Sequence, residues 1–282
     1  MKITAFCVAG ALLALSTAAA SATDIMPNFA TAPTGWTVDR YAPDSFGNVG
    51  TYQGQSNVLG IGIGPNGSFD SRPSAYQYGF YSTQGEGYSI SGGAGDSLAA
   101  ALYIPTSWSN PTSGARRTDM WGVMTDGTTN VTDYPIIGFT NYGTGTADLN
   151  SNNATDSFIG FRVWSDSANN NNGGWYDLSS APVNYGAWNT LGIVFTGSDY
   201  QYYVNGTDVL NLAAASGTTN FSSVLMEAFN FTGDPNSPGA VGNSYTAHWA
   251  NVPEPGSLAL FAAALGMLGL VVGLRKRRGA AD

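Results

Sequence analysis

Short alternations of apolar and polar positions, broken by Gly, Asn, Asp, Ser and Pro, recur through most of this chain. In "SLAAALYI", Leu98, Ala100, Leu102 and Ile104 fall on one face. In "FIGFRVWS", Ile159, Phe161 and Val163 share a face and leave Arg162 and Trp164 on the other. In "WNTLGIVFT", Leu191, Ile193 and Phe195 point together. A period of two is the signature of a strand with one buried face. "NVLGIGI", "YQYGFYS", "MWGVMT", "YPIIGFT", "VLMEAFNF" and "YTAHWANV" are read as strands on the same grounds. Helical periodicity is hard to find between them. Many short strands with no helices between predict an all-β fold, a two-sheet antiparallel jelly-roll sandwich.

The sharpest local signal is "YQYYVNGTDVLNL". Asn205 and Gly206 tolerate the positive φ that a two-residue hairpin turn needs, so Tyr200 to Val204 and Val209 to Leu212 form its arms. With the strand before it, the pattern reads W-x-x-L-x-I-x-F, a short gap, then Y-x-Y-Y-V-N-G-x-x-V. This stretch resembles the concanavalin-like and laminin-G sandwiches, in which a strand enters a hairpin with Asn-Gly at its tip.

The pattern changes at both ends. Lys2 precedes an apolar run from Ile3 to Leu15, then small residues. This is the layout of a secretory signal peptide, with the A-x-A match at Ala20-Ser21-Ala22 placing the mature start at Thr23. At the other end Ser257 to Leu274 carries no charge. As a helix it would span about 27 Å, close to a bilayer's ~30 Å hydrocarbon core. Arg275, Lys276, Arg277 and Arg278 follow at once and hold that end in the cytoplasm, so the body lies outside. Pro253 and Pro255 keep the segment before the helix extended. Val252-Pro253-Glu254-Pro255, an apolar helix with glycines and a basic cluster resemble the PEP-CTERM sorting signal of Gram-negative bacteria. The resemblance implies processing by an exosortase, after the secretion translocon and signal peptidase have acted. It also implies delivery to the cell surface or the exopolysaccharide matrix. The expected organisation is a signal peptide at 1–22, a sandwich at 23–251 and a sorting signal at 252–282.

Composition narrows what the body does. Residues 23–252 hold five cations, all Arg, against 17 acids, a net charge of −12. That sign repels phosphate backbones and excludes nucleic acid as a partner. Cys7, the chain's one cysteine, precedes the predicted cleavage point, so the body has no disulfide or thiol chemistry. Its one histidine, His248, cannot with no cysteine build a usual zinc site.

Four chemistries are open to such a body. Glycoside cleavage needs two carboxyls roughly 5–10 Å apart. The concanavalin-like glycanases carry E-x-D-x-x-E on one strand, and that motif is missing here. The body's two glutamates, Glu86 and Glu227, are the only glutamate pair for a secreted glycoside hydrolase, the alternative reading. No G-x-S-x-G elbow is present for nucleophilic catalysis. "DLNSNNATD" spaces Asp148, Asn150, Asn152 and Asp156 like oxygen ligands of a calcium loop, without the glutamate that normally completes one. No other cofactor is called for. Trp164, Trp175 and Tyr176 make a candidate platform for a sugar ring, and Arg116 with Arg117 are read as solvated loop cations. The reading this favours is a non-enzymatic surface or matrix protein with a structural, adhesive or carbohydrate-binding sandwich.

Overall fold

A computed structural model describes residues 23–142, 158–166, 173–235, 237, 242 and 244–252. The signal peptide with Ala20 and Ala22, the calcium candidates Asp148, Asn150, Asn152 and Asp156, Pro253, Glu254 and Pro255, the apolar run 257–274 and the cations 275–278 lie outside these residues. Among the described residues no helix is long and apolar enough to cross a membrane.

Sixteen strands are described, in chain order: β1 Thr23–Asp24, β2 Trp36–Val38, β3 Ser45–Asn48, β4 Leu59–Ile63, β5 Thr83–Gly92, β6 Asp96–Ile104, β7 Arg117–Thr125, β8 Val131–Asp133, β9 Ile136–Thr140, β10 Gly160–Ser165, β11 Gly174–Asp177, β12 Ala187–Phe195, β13 Asp199–Val204, β14 Thr207–Ala213, β15 Asn220–Phe229 and β16 Tyr245–Asn251. One sheet (sheet A) runs β14-β13-β12-β6-β16-β4-β3, with β1 on β6. The other (sheet B) runs β11-β10-β9-β7-β15-β5-β2, with β8 on β7. All pairings are antiparallel except the two-residue contact of β1 with β6. The chain steps between sheets at β1–β2, β2–β3, β4–β5, β5–β6, β6–β7, β11–β12, β14–β15 and β15–β16, which is the jelly-roll pattern the alternation predicts.

The core lies between the sheets, where the alternation puts it. Leu98, Ala100, Leu102 and Ile104 are fully buried. Ile61, Phe139, Phe161, Ile193, Tyr202 and Trp249 join them in one cluster drawn from both sheets. Each large apolar side chain covered in this way contributes about 1.5–3 kcal/mol. One polar chain also crosses the core: the Trp249 indole N–H of β16 donates to Thr118 Oγ1 at 3.0 Å, and Thr118 donates to the Glu227 carbonyl at 2.7 Å. The hairpin turns on Asn205 at φ 50° and Gly206 at φ 78°, both in the left-handed region.

One strand expectation is overturned. "YQYGFYS" forms two 3₁₀ turns, Ser74–Tyr76 and Gly79–Ser82. The Gln77 amide donates to the carbonyls of Arg72 at 2.9 Å and Asp70 at 3.3 Å, which curls the segment back on the preceding loop. The alternation of aromatic rings that suggested a strand here reflects exposure.

Candidate functional site

Register builds a polar row across the outer face of sheet B. Gly85 of β5 pairs with Glu227 of β15, Glu227 with Asp119 of β7, Asp119 with Gly138 of β9, Gly138 with Arg162 of β10, and Arg162 with Asp177 of β11. The Asp39 N–H donates to the Gly85 carbonyl at 3.2 Å and extends the row past β2. Directly opposed residues share a face. The two glycines make room: a Cβ at Gly85 would meet the Glu227 carboxyl, and one at Gly138 would meet the Asp119 carboxyl.

These groups are sealed. Glu227 is 0% exposed and Asp119 1%. Arg117 Nε meets Asp119 Oδ2 at 2.6 Å. Neither Glu227 oxygen has a hydrogen-bond donor. Burial, and then the charge of Asp39, push the Glu227 carboxyl well above the ordinary glutamate range, with the Arg40 charge acting in the opposite sense. Burial and the Asp39 charge thus both favour the neutral acid.

The next row is aromatic and apolar. Leu225, Trp121, Ile136, Trp164 and Trp175 succeed one another across β15, β7, β9, β10 and β11. Asp166 orients its rim, accepting from Trp164 Nε1 at 2.7 Å and from the Tyr134 N–H at 3.0 Å. Arg40 joins this row to the curled segment, with its guanidinium 4.5 Å from the Trp121 ring centre and 4.4 Å from that of Phe80. On that segment Tyr76 is 39%, Tyr78 72% and Phe80 54% exposed. Tyr41 and Tyr81 brace Tyr76 from below at ring separations of 5.3 and 5.0 Å. The result is a shelf of exposed rings beside partly accessible polar groups, Asp39, Arg40, Tyr134 and Asp166.

The residues singled out from the sequence fall as follows. Glu86 pairs with the core residue Met226, so its side chain points to the opposite face from Glu227. The two carboxyls do not flank a common point, and burial raises the Glu86 carboxyl as well. Trp164 and Trp175 do meet, at 5.3 Å between ring centres. Tyr176 pairs with Val163 and packs toward the core. Trp175 is buried, with Arg162 at 4.2 Å and Arg117 at 4.6 Å from its ring. Arg116 and Arg117 are each 8% exposed, which corrects the expectation of solvated loop cations: their guanidinium groups lie against Tyr245 and against Trp175 and Phe229. His248 stacks on Tyr52 at 3.7 Å, and burial lowers its pKa. Among the described residues no cluster of three or more His, Cys, Asp or Glu is arranged to hold a metal ion. Val252, the first residue of the Val-Pro-Glu-Pro motif, packs against Val58, Ala101 and Ala250.

Tyr76, Tyr78, Phe80 and Arg40 were missed by the sequence reading. The signal was there as four aromatic residues in the seven of "YQYGFYS", a density that a strand reading absorbs too readily.

Comparison with known proteins adds one motif and a set of distant shapes. Residues 251–278 match the PEP-CTERM protein-sorting motif. No curated protein sequence matches the chain. Among solved structures, a glycosyl hydrolase family 16 protein from Mycobacterium smegmatis aligns at 15% identity, over 80% of this chain and 95% of that one, with a TM-score of 0.42. The carbohydrate-binding module CBM66 from Bacillus subtilis aligns at 12% identity, over 82% and 96%, with a TM-score of 0.37. A pseudo beta-1,3-glucanase of Mycobacterium tuberculosis aligns at 15% identity, over 81% and 91%, with a TM-score of 0.38.

Proposed function

We propose that this chain is exported, trimmed by an exosortase at its sorting motif, and left at the cell surface or in the exopolysaccharide matrix as a non-enzymatic, glycan-binding sandwich. The ligand is a neutral glycan held on the shelf of Tyr76, Tyr78 and Phe80, with Arg40, Asp39 and Asp166 bonding hydroxyls. The observation that carries this reading is that shelf: three large rings exposed within five residues of one another on the rim of a sheet face. Clustered exposed aromatics mark binding sites, whereas single ones are ordinary. Neutrality follows from the cations. All five body arginines lie over aromatic rings, and four are under a tenth exposed, so an acidic glycan finds no free positive patch.

One observation favours the hydrolase alternative. Glu227, its carboxyl pushed up by burial, stands directly opposite Asp119, so two carboxyl groups are side by side. Their burial speaks against it, because a substrate cannot reach either. A glycan array and a reducing-sugar assay on residues 23–252 separate the two. Binding without turnover, weakened about tenfold by Tyr78→Ala or Phe80→Ala for a loss of ~1.4 kcal/mol each, supports the binder. Turnover abolished by Glu227→Gln supports the enzyme.

A further inference from the structure

Residues 39–41 open a strap between the sheets. β2 ends at Val38 in sheet B and β3 begins at Ser45 in sheet A, so the chain between them crosses from one sheet to the other. Each of its first three residues holds something. The Asp39 N–H donates to the Gly85 carbonyl at 3.2 Å, and the Asp39 carboxyl lies in hydrogen-bonding contact with that of Glu227. The Arg40 guanidinium lies between the rings of Phe80 and Trp121. The Tyr41 ring meets that of Tyr76. Two of the three exposed shelf rings, Tyr76 and Phe80, are therefore seated on this strap.

The strap's hold on sheet B depends on a proton. Two carboxylates in contact repel, whereas a carboxylic acid donates to a carboxylate and binds it. Among the described residues nothing else serves Glu227. β5 places Gly85 opposite it, with no side chain to donate. On β7, Arg117 is committed to Asp119 at 2.6 Å. Arg40 meets Asp39 through Nε at 3.3 Å. Tyr134, at the start of β9, stays neutral, its hydroxyl pushed up by burial and by the Asp39 charge. Arg162 and Asp177 stand farther along the row, on β10 and β11. Glu227 is thus fully buried with no donor on either oxygen.

We propose that Glu227 is a positioning residue for the glycan shelf: with a proton on its carboxyl it clamps Asp39 and seats the strap, and loss of that proton lifts the strap and unseats Tyr76 and Phe80. The inference rests on the glycan-binding reading above and adds its regulation. The step is a plain acid dissociation, with the proton passing to solvent. Burial already pushes this carboxyl well above the ordinary range, so the clamped form extends to higher pH than a free glutamic acid would allow. Glycan affinity is full at acidic pH and falls by up to about tenfold per pH unit once the folded protein releases the proton.

The test uses the full chain, purified from the exported fraction of its host, and two readouts. The first needs no glycan. The body has no lysine, and Arg72, Arg116, Arg117 and Arg162 are at most 8% exposed, so Arg40 is its most accessible target for trypsin. Nicking after Arg40, normalised at each pH to a short arginine peptide, should rise about tenfold or more between about pH 6 and pH 9 in the wild type. Glu227→Gln donates to Asp39 without titrating, so its nicking should stay at the acid-pH rate throughout. A wild-type rate independent of pH, as a merely structural Glu227 predicts, overturns the clamp, and so does a pH dependence that survives Glu227→Gln. Asp39→Asn, at an exposed position, repeats the nicking test if Glu227→Gln fails to fold. The second readout is binding to the neutral glycans of an array at the same two pH values. Affinity that needs Tyr78 and Phe80, falls with pH in the wild type and stays level in Glu227→Gln supports the positioning role. Affinity that needs those rings but is equal at both pH values overturns that role and leaves the glycan reading standing. No binding to any neutral glycan at either pH overturns the glycan reading and the positioning role with it.

Discussion

Glu227 shows how one side chain's protonation is set by what surrounds it. Asp119 on the neighbouring β7 and Asp39 just past β2 are the nearby carboxylates, Arg40 and Arg117 are the nearby cations, and both its oxygens lack donors. Its folded-state pKa is raised above the ordinary 4.5, so the native state keeps a proton that the unfolded chain releases. Stability from this group is complete below about pH 4.5 and falls as pH rises toward the folded-state value, by ~1.4 kcal/mol per pH unit. Glu227→Gln keeps the shape of the neutral acid and removes the titration. Urea unfolding at a series of pH values should therefore show the variant equal to wild type near pH 4 and increasingly more stable from pH 5 upward. Parallel stability curves would refute the assignment of a neutral glutamate.

At the scale of elements, the β13–β14 hairpin and the 74–82 segment make opposite cases. The hairpin is local: Asn205 and Gly206 supply the positive φ, and the Asn205 side chain accepts from the Thr190 N–H at 2.9 Å. A Cβ at Gly206 would meet nothing within 4 Å. Gly206→Ala should cost only the left-handed backbone penalty, about 1–2 kcal/mol, read as a lowered denaturation midpoint with an unchanged m-value. The 74–82 segment has the same period-two pattern as a strand, yet no sheet edge receives it. Its backbone turns are stabilised by Gln77, a contact invisible in the alternation. The site was missed for that reason: the aromatics that a strand would have split between core and solvent are instead braced together at the surface.

Across the whole molecule, Trp249 ties the two sheets through Thr118. It is fully buried and its indole N–H is bonded across the core. Trp249→Ala should lower stability by about 3–5 kcal/mol, measured by thermal or urea unfolding, and should loosen both sheets together. Charge also acts at this scale. With four of the five body arginines buried against rings, the exposed charges of the described body are mostly acidic. Glycan affinity should accordingly change little between low and high salt, whereas a steep fall with salt would point to an acidic ligand.

The strand faces of β6, β10 and β12, the Asn-Gly hairpin and the sorting motif were legible in the sequence, because each depends on residues close together in the chain: a period of two, a turn conformation, a proline pair before an apolar run. What only the tertiary structure decided is which distant residues share a row. Glu86 and Glu227 sit one register step apart on adjacent strands and face opposite ways, while Glu227 and Asp119, 108 residues apart in sequence, stand side by side. Strand order sets those neighbours, and it is fixed by the packing of two whole sheets, a property no local pattern carries.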